Sequence, residues 1–426
     1  MNFGANDRPD PQGRRRTDPR ARGAQPGMDT LLVHGGLKPP RPGEPMPAVT
    51  PIVPAVGFVH LHMDDADRAL GYEGGVTPVD PESFVYSRYG GPNQAELEET
   101  AALLEGAEGA VSFSSGMAAL HAGLLALVPP GGSVVAAEQL YGVTRTLLEL
   151  LAAKMGLKVT YADFLDGERL RAAVAAARPA CIVCEVLTNP LARLVDLDMA
   201  AAIAREARAA LLVDNTFLTP FLLRPLERGA SMVVHSSTKF LNGHGDVLGG
   251  IAVGSAEAMR LAYQYRRILG AVPSSFDAWL TLRGMRTLGV RMLRACANAL
   301  QVASWLAQQG RVARVYYPGL PDDSGHVLAR SLLRPGCFGS IVGFEIRGLD
   351  RAGIFYFVER LRLIRAVTSL GDVCTLIMHP ASSSHRALTL EQREAQGISE
   401  GLLRLSVGIE DPADLIEDLA QALEAL

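Results

Sequence analysis

Short apolar segments alternate with helical segments between residues 109 and 253, and this alternation limits the fold of the chain more than any other feature. Continuous apolar strands separated by helices are typical of a mostly parallel sheet that helices cover on both faces. We therefore predict an α/β fold with a mostly parallel, seven-stranded sheet. Its strands are expected at residues 109–113, 133–137, 157–162, 180–186, 210–214, 232–235 and 248–253. The intervening helices include 117–127, 144–155, 168–177 and 199–209.

The remainder of the chain has a different pattern. Its predicted elements are a long helix at 276–306, strands at 312–316, 339–346 and 375–378, and an amphipathic helix at 412–426. We assign this part to a smaller C-terminal α+β domain over 291–426, after a large ligand-binding domain over 92–290. Residues 28–91 are rich in Pro and Gly and have no strong period, so they are expected to form an extended arm.

Composition narrows the functional class. A chain of 426 residues is long enough for about two domains, and 48% hydrophobic residues can supply a large core. The net charge of −4 argues against a general nucleic-acid binder. No apolar stretch is long enough to cross a bilayer. We therefore expect no nucleic-acid partner and no membrane contact.

The first 27 residues differ from the rest. They contain six Arg and three Asp and almost no apolar residues, so they cannot bury enough surface to become ordered. Arg14-Arg15-Arg16 is similar to the start of a twin-arginine signal, but no apolar region follows it. We predict a disordered N-terminal tail over residues 1–27.

Five cysteines are present, and an odd number in a long chain argues against a disulfide framework. Cys181 and Cys184 have the C-x-x-C spacing of redox and metal sites. They lie in an apolar run that predicts a buried strand, in which positions three apart point to opposite faces. A redox or metal role is therefore disfavoured, and we expect a cytoplasmic protein.

Two polar clusters follow strands at the edge where parallel sheets bind their ligands. Ser114-Ser115-Gly116-Met117 comes after the first strand and opens a helix, whose free N–H groups and positive dipole end suit an anion. Asp214 closes another apolar strand. An Asp at that position can ligate a metal or cap a turn, or it can pair with the pyridine nitrogen of pyridoxal phosphate (PLP).

The third cluster is Ser236-Ser237-Thr238-Lys239, which follows the next strand. Hydroxyl groups bind phosphate oxygens, and an amine can form a Schiff base with an aldehyde. A lone Lys after a strand is usually a solvated surface residue. Because the three clusters occur together, we predict that Lys239 carries PLP.

Ordered motifs along the chain carry a resemblance to a known family. They are Tyr86-Ser87-Arg88-Tyr89, Ser114-Ser115-Gly116-Met117-Ala118, Tyr141-Gly142, Asp214-Asn215-Thr216, Ser236-Ser237-Thr238-Lys239, Gly243-His244-Gly245-Asp246, Ser369-Leu370-Gly371 and Arg404-Leu405-Ser406-Val407-Gly408. In these residues the chain resembles the Cys/Met-metabolism family of PLP enzymes, from about His34 to its C-terminus. That family includes cystathionine γ-synthase, cystathionine γ-lyase, methionine γ-lyase and the homoserine-ester sulfhydrylases. The resemblance implies the type I fold of PLP-dependent transferases.

The resemblance implies roles for the residues of the cofactor pocket. Lys239 holds the internal aldimine and then moves protons, while Tyr141 stacks on the pyridine ring and Asp214 pairs with its nitrogen. Together with Asn189 near the ring hydroxyl, the remaining predicted cofactor ligands are Gly116, Met117, Thr216, Ser236 and Thr238. No catalytic metal is expected, because the nine His have no ligand spacing.

Three residues near the C-terminus are implied to bind substrate. The fork of the Arg404 guanidinium suits the α-carboxylate of an amino acid. Ser369 assists at this carboxylate or at Lys239, and Thr368 precedes it. Members that use cystathionine often carry Glu at the position of Thr368, so the Thr weakens recognition of a distal amino group.

Tyr86 and Arg88 lie in the predicted arm. In the family, the residues at these positions reach into a neighbouring subunit and bind its cofactor phosphate. The resemblance therefore implies a homodimer or homotetramer with active sites shared between subunits. Two features depart from the family: Gly90-Gly91-Pro92 replaces its usual continuation after Arg88, and residues 71–83 form an additional loop before Tyr86.

The reaction stays open between two outcomes. Loss of a γ-substituent is followed either by hydrolysis to a 2-oxo acid and ammonia, as in a carbon–sulfur γ-lyase, or by addition of a thiol, as in a γ-replacement transferase. Val143 stands where methionine γ-lyases typically carry Cys, whereas Gly371-Asp372 and His379-Pro380-Ala381-Ser382 are more similar to methionine γ-lyases and sulfhydrylases. We favour the γ-lyase, with the transferase as the alternative and a non-catalytic binding subunit as a remote one.

Overall fold

The structure is a computed structural model, and it describes residues 26–37, 47–70, 84–386 and 388–426. The predicted tail up to residue 25 and the predicted loop over residues 71–83 lie outside the described residues. Within the described part, no helix is both long enough and apolar enough to cross a membrane.

The larger sheet has seven strands in the order β1-β7-β6-β5-β4-β2-β3. They are β1 (Gly109–Phe113), β2 (Ser133–Ala137), β3 (Lys158–Ala162), β4 (Cys181–Glu185), β5 (Ala210–Asp214), β6 (Met232–His235) and β7 (Gly250–Gly254). The five strands β2 to β6 are parallel, and β7 is antiparallel to both β1 and β6. The predicted mostly parallel sheet is confirmed.

Helices connect and surround these strands. Through the larger sheet they are α1 (Met28–His34), α2 (Met63–Leu70), α3 (Pro92–Glu105), α4 (Gly116–Leu127), α5 (Gly142–Met155), α6 (Gly167–Ala177), α7 (Leu197–Ala207), α8 (Thr219–Leu222), α9 (Ala256–Leu269), α10 (Ser275–Met285) and α11 (Leu288–Leu306). Short polar side chains begin several of them. Ser115, Asp196 and Ser255 each accept a hydrogen bond from the backbone N–H three residues later, which stabilises the first turn.

The smaller sheet follows, in the order β10-β11-β12-β9-β8. Its elements are β8 (Val312–Tyr316), α12 (His326–Leu332), β9 (Ile341–Ile346), α13 (Arg351–Arg360), β10 (Arg365–Ala366), β11 (Leu376–Met378), α14 (Leu390–Ala395), β12 (Leu402–Ser406) and α15 (Pro412–Glu424). This α+β unit confirms the predicted smaller C-terminal domain. The proposed boundary at residue 291 falls within α11, whose first half packs on the large core and whose second half packs on the small one.

The prediction of one helix over 276–306 was wrong, because α10 ends at Met285 and α11 begins at Leu288. Tertiary contact explains the break: a Cβ on Gly284 would lie only 2.2 Å from the carbonyl oxygen of Asn242. Thr287 closes the turn by donating its hydroxyl to the carbonyl of Gly284 at 3.1 Å. The sequence has no Pro at this position from which the break could be predicted.

Arg291, near the start of α11, fixes the segment that follows Lys239. Its buried guanidinium donates to the carbonyl oxygens of Phe240 at 2.8 Å, Leu241 at 3.2 Å and Gly284 at 2.8 Å. Burial lowers the pKa of this guanidinium to about 10. The hydrogen bonds therefore tie α11 to the backbone of the predicted cofactor-binding turn.

Replacing Arg291 with Met leaves three carbonyl oxygens without their donors in a buried region. We expect the free energy of unfolding to fall by about 3 kcal/mol, measured by chemical denaturation at fixed protein and PLP concentrations. Arg294→Met is the matched control, since the exposed Arg294 makes one 3.2 Å bond to the Glu410 carbonyl and should cost less than about 1 kcal/mol. Equal losses in the two variants would contradict this account of Arg291.

Candidate active site

A cavity of about 560 Å³ lies at the carboxyl ends of the parallel strands, which is where open α/β sheets bind their ligands. The ends of strands β4 and β5 contribute Glu185 and Asp214, and the turn after β6 contributes Lys239. The smaller domain supplies the opposite wall. The cavity is lined by Ser115, Gly116, Met117, Leu120, Tyr141, Val143, Glu185, Leu187, Asn189, Asp214, Thr216, Phe217, Ser236, Thr238, Lys239, Leu248, Thr368, Leu370, Ser382, Ser383, Ser384, Arg386 and Arg404.

Lys239 is held by the smaller domain. Its Nζ donates to Oγ of Ser369 at 2.9 Å. Burial and, to a lesser extent, the positive charge of Arg404 lower the pKa of Lys239 to about 8. A substantial fraction of the amine is therefore neutral near neutral pH, which is the form that attacks an aldehyde or accepts a proton.

Asp214 and Glu185 face each other at the ends of adjacent parallel strands. Oδ1 of Asp214 accepts the backbone N–H of Thr216 at 2.9 Å and its hydroxyl at 2.5 Å. Burial raises the pKa of Glu185 to about 8, and the negative charge of Asp214 raises it as well. Burial also raises the pKa of Asp214, against the hydrogen bonds from Thr216. Two buried carboxyls this close favour one shared negative charge, which a cation such as a pyridinium would stabilise.

Arg404 lies on β12 and is only 2% exposed. Its Nη1 donates to Oδ1 of Asn189 at 3.0 Å, and its Nη2 donates to the carbonyl of Ser369 at 2.8 Å. Its Nε has no hydrogen-bond partner among the described residues. Because a buried guanidinium with an unused donor is costly, the arrangement suits an anionic ligand such as a carboxylate.

The start of α4 forms the other anion site. Ser115 accepts the N–H of Ala118 at 3.1 Å, which leaves the N–H groups of Gly116 and Met117 without a partner among the described residues. A Cβ on Gly116 would lie 2.7 Å from Cβ of Ser236, so the helix start and the turn after β6 are in direct contact. Free amide donors at a helix N-terminus beside a hydroxyl fit the phosphate of PLP.

Two threonines of the predicted cofactor set are already bonded within the protein. The hydroxyl of Thr216 accepts the N–H of Ser236 at 2.8 Å as well as donating to Asp214. The hydroxyl of Thr238 accepts the N–H of Gly249 at 2.9 Å and donates to its carbonyl at 3.2 Å. Thr216 thus joins the turn after β6 to Asp214, which positions both.

Tyr141 precedes α5 and lies on the cavity wall with 37% of its surface exposed. Its backbone N–H donates to Oε1 of Glu185 at 2.5 Å. Glu185 therefore holds the backbone of the residue that we expect to stack on the pyridine ring. Together the amine, the acidic pair, the free amides and the aromatic wall fit PLP as a bound group.

Tyr86 and Arg88 do not line this cavity. Arg88 lies over the rings of Tyr86 and Tyr89 at 5.4 and 5.0 Å and donates to the carbonyl of Arg267 at 2.5 Å. These two residues are thus apart from the other predicted site residues of the same chain. Their assignment to a neighbouring subunit stays a prediction.

Sequence reasoning missed several residues of the cavity. Glu185 ends β4 and could have been found by the rule that drew attention to Asp214. Ser382, Ser384 and Arg386 lie in a turn that no sequence pattern places at the cavity. His379, beside that turn, has both ring nitrogens hydrogen-bonded, to Ser382 Oγ and to the carbonyl of Glu400, each at 2.9 Å.

The cysteines and acidic groups form no metal site in the described chain. All five cysteines are free, and burial raises the pKa of Cys181 to about 12. No group of three or more His, Cys, Asp or Glu side chains with metal-binding geometry occurs among the described residues. The chemistry of the site therefore rests on the cavity at the strand ends.

Residues 29–424 match the model of a family described as Cys/Met metabolism PLP-dependent enzyme. The chain is 38% identical to O-succinylhomoserine sulfhydrylase of Pseudomonas aeruginosa, over 94% of this chain and 96% of that protein. It is 39% identical to L-methionine gamma-lyase of Pseudomonas putida, over 94% of this chain and 98% of that protein.

Solved structures are similar as well. Cystathionine gamma synthase from Xanthomonas oryzae in complex with cystathionine has a TM-score of 0.85 and 36% identity, covering 95% of this chain and 100% of that one. Cystathionine gamma lyase from Micromonospora echinospora has a TM-score of 0.83 and 38% identity, covering 93% and 99%.

Covalent capture of PLP by Lys239 should become faster as the pH rises through about 8, because only the neutral amine attacks the aldehyde. Arg404→Met removes a neighbouring positive charge, so the midpoint should move to higher pH by up to about one unit. Borohydride reduction at each pH, followed by peptide mass spectrometry, measures the captured fraction.

The residue that is modified serves as the control in this experiment. The chain has four lysines, Lys38, Lys154, Lys158 and Lys239, so the modified peptide identifies the amine without ambiguity. A label on another lysine, or the same midpoint in the Arg404→Met variant, would show that the proposed electrostatic coupling is wrong.

Proposed function

This chain belongs to the Cys/Met metabolism PLP-dependent enzyme family, and from that premise we propose that it expels the γ-substituent of an α-amino acid with Lys239 as the proton carrier. The chain is a PLP-dependent lyase or γ-replacement enzyme that acts on a small amino acid. One observation supports the proposal most directly. Ser369 is bonded to Lys239 through its hydroxyl and to Arg404 through its carbonyl, at 2.9 and 2.8 Å.

Arg404 orients the substrate. Its buried guanidinium, with Nε unused among the described residues, binds the α-carboxylate and so fixes the amino acid at one end. Because Arg404 and Lys239 are joined through Ser369, an amino acid held by the carboxylate has its Cα close to Nζ. Positioning of this kind converts a bimolecular proton transfer into an effectively intramolecular one.

Lys239 moves the protons. Burial and the charge of Arg404 lower its pKa to about 8, so near neutral pH its amine can both accept a proton and return it. We propose that Nζ takes the proton from Cα and delivers one to the departing γ-group. The hydrogen bond to Ser369 keeps the amine beside the substrate when it is not bonded to the cofactor.

Bound PLP supplies the electron sink that makes removal of the Cα proton possible. The chain would hold that group as follows: Asp214 would pair with the ring nitrogen, Tyr141 would stack on the ring, and Gly116 and Met117 would offer their N–H groups to the phosphate. Glu185 fixes the Tyr141 backbone. Each of these roles is proposed from the positions of the side chains in the cavity.

We favour γ-elimination as the outcome. Water then releases a 2-oxo acid and ammonia, so that no second amino acid or thiol has to bind. Replacement of the γ-substituent by a thiol is the second candidate, and the 38% identity to O-succinylhomoserine sulfhydrylase of Pseudomonas aeruginosa supports it. Val143 and Thr368 both line the cavity, and neither favours methionine or cystathionine as the substrate.

A substrate panel separates the two outcomes. Methionine, cystathionine, O-acetylhomoserine and O-succinylhomoserine are each incubated with the PLP-loaded protein, with and without a thiol. We expect 2-oxo acid release without thiol, because elimination needs only water. Lys239→Ala should lower the rate by about 10²–10⁴-fold.

The products decide between the candidates. A thioether that forms only when ester and thiol are both present would establish the replacement reaction in place of elimination. Lack of both products from every substrate, with PLP bound, would overturn the proposed function. Lys154→Ala, which removes an exposed lysine of α5, is the matched control and should leave the rates unchanged.

We also propose a homodimer or homotetramer in which Tyr86 and Arg88 complete the phosphate site of the neighbouring subunit. Their position away from the cavity of their own chain supports this arrangement. The preceding segment also exposes large apolar side chains, with Val59 97% and Leu61 93% exposed. Exposed apolar surface of this kind is typical of subunit contacts.

Subunit complementation tests the shared site. Arg88→Ala and Lys239→Ala should each be nearly inactive, and coexpression should restore about a quarter of wild-type activity, because half of the dimers are hybrids with one intact site. Coexpression of Lys239→Ala with Asp214→Ala is the control that cannot restore activity if both residues serve the same chain. Absence of recovery with Arg88→Ala would contradict the shared site.

The five free cysteines support a cytoplasmic location, which we also propose. Unpaired thiols persist where the environment is reducing.

A further inference from the structure

Two guanidinium groups line the same cavity, and the proposed function uses only one of them. Arg404 is 2% exposed and lies at the buried end of the cavity, here called the floor. Arg386 is exposed and lies at the open end, here called the mouth. Arg386 forms no ion pair and no side-chain hydrogen bond within the described chain. A cation that faces the cavity without a partner is a candidate for binding a charged part of the substrate.

The turn that carries Arg386 is fixed by its own hydrogen bonds. The carbonyl of Pro380 accepts the N–H groups of Ser383 at 3.1 Å and His385 at 3.0 Å, and the N–H of Arg386 donates to the carbonyl of Ser383 at 3.2 Å. The imidazole of His385 is 1% exposed and its Nδ1 is bonded to Oγ of Ser384 at 2.8 Å. Arg386 is therefore presented from an anchored backbone.

This turn forms part of the cavity wall, since Ser382, Ser383 and Ser384 line the cavity together with Arg386. A Cβ on Gly142 would lie 2.7 Å from the carbonyl oxygen of Ser384, so the turn packs against the backbone next to Tyr141. Burial and the positive charge of Arg404 together lower the pKa of His385 to about 4. A substrate with its α-carboxylate on Arg404 would thus extend along the turn toward Arg386.

The charges at the mouth favour one kind of γ-substituent. Among the described residues that line the cavity, the acidic side chains are Glu185 and Asp214, and both lie at the strand ends. Thr368 contributes a hydroxyl and no charge. A distal ammonium group would meet a cation with no acidic partner, and cystathionine places such a group beside its distal carboxylate. A methylthio group would leave Arg386 unused. A distal carboxylate without a neighbouring ammonium group matches it.

We propose that Arg386 binds a carboxylate at the far end of the γ-substituent, and that the enzyme therefore prefers homoserine half-esters of dicarboxylic acids. This inference rests on the proposed function, since it concerns the group that leaves from Cγ. The Cγ–O bond breaks, its electron pair departs with the carboxylate oxygen, and the free diacid is released. Elimination with water then yields a 2-oxo acid and ammonia, with no oxidant or reductant.

Kinetics on a matched pair of esters test the proposal. O-succinylhomoserine and O-acetylhomoserine share the reacting atoms and differ in the distal carboxylate. We expect Arg386→Met to lower kcat/KM for the succinyl ester by about 10-fold, mainly through KM, and to change the acetyl ester less than about 2-fold. Arg386→Lys should retain part of the preference. Arg362→Met, which removes another exposed arginine, should leave both substrates unchanged.

A binding measurement separates this inference from the proposed function. 2-Aminoazelate and 2-aminooctanoate carry no γ-leaving group, and they differ in a terminal carboxylate that 2-aminoazelate holds as far from Cα as O-succinylhomoserine does. Titration of the absorbance of bound PLP should show that Arg386→Met weakens 2-aminoazelate about 10-fold and leaves 2-aminooctanoate unchanged. The titration tests Arg386 even if no substrate of the panel is turned over, a result that would overturn the proposed function. If other substrates are turned over and neither ester is, the proposed preference for half-esters is wrong. Equal effects on both members of each pair, or no effect on either, would overturn the assignment of Arg386.

Discussion

The contact between two turns, one from each sheet, is the constraint on which the active site depends. Gly371 has φ +78, and a Cβ there would lie 2.6 Å from the backbone nitrogen of Phe240 and 2.9 Å from the carbonyl carbon of Lys239. Only glycine permits so close an approach in that conformation. The contact brings Ser369 to Lys239, and through Ser369 it brings Arg404. Lys239 thus follows a strand of one sheet and Arg404 lies on a strand of the other. Backbone packing between the two turns fixes the distance between their side chains.

Electrostatics follow from the same packing. Closing the two sheets over the strand ends buries Lys239 together with Arg404, and both effects favour the neutral amine. The pairing of β4 with β5 places Glu185 beside Asp214, and burial raises the pKa of both carboxyls. A site in which the pKa of an amine is lowered and the pKa values of carboxyls are raised is suited to proton transfer near neutral pH. Arg291 stabilises this arrangement, because its guanidinium donates to the carbonyl oxygens of Phe240 and Leu241, which follow Lys239.

The alternation of strands and helices was enough to predict the large sheet and the edge at which its ligands bind. Asp214 and Lys239 could be found because they directly follow apolar strands. Arg404 and Ser369 belong to the other sheet, and only the family resemblance connected them to the site. Glu185 ends β4 in the same way, so the rule that identifies Asp214 also applies to it. The turn at Ser382–Arg386 could not be placed, because contacts far apart in sequence, such as Ser384 with Gly142, determine its position.

Specificity in this fold can be separated from the shared chemistry. Relatives with different reactions are about equally similar to this chain, so overall identity cannot decide among those reactions. In the function that we propose, the buried end of the cavity, with Lys239, Asp214 and Arg404, binds the part that all α-amino acids share. Differences among γ-substituents would then be recognised at the mouth, where the described wall is built from Thr368, Val143 and the turn that carries Arg386. A short segment held by backbone hydrogen bonds can change its side chains without disturbing the floor, and therefore the substrate has to be inferred from the mouth.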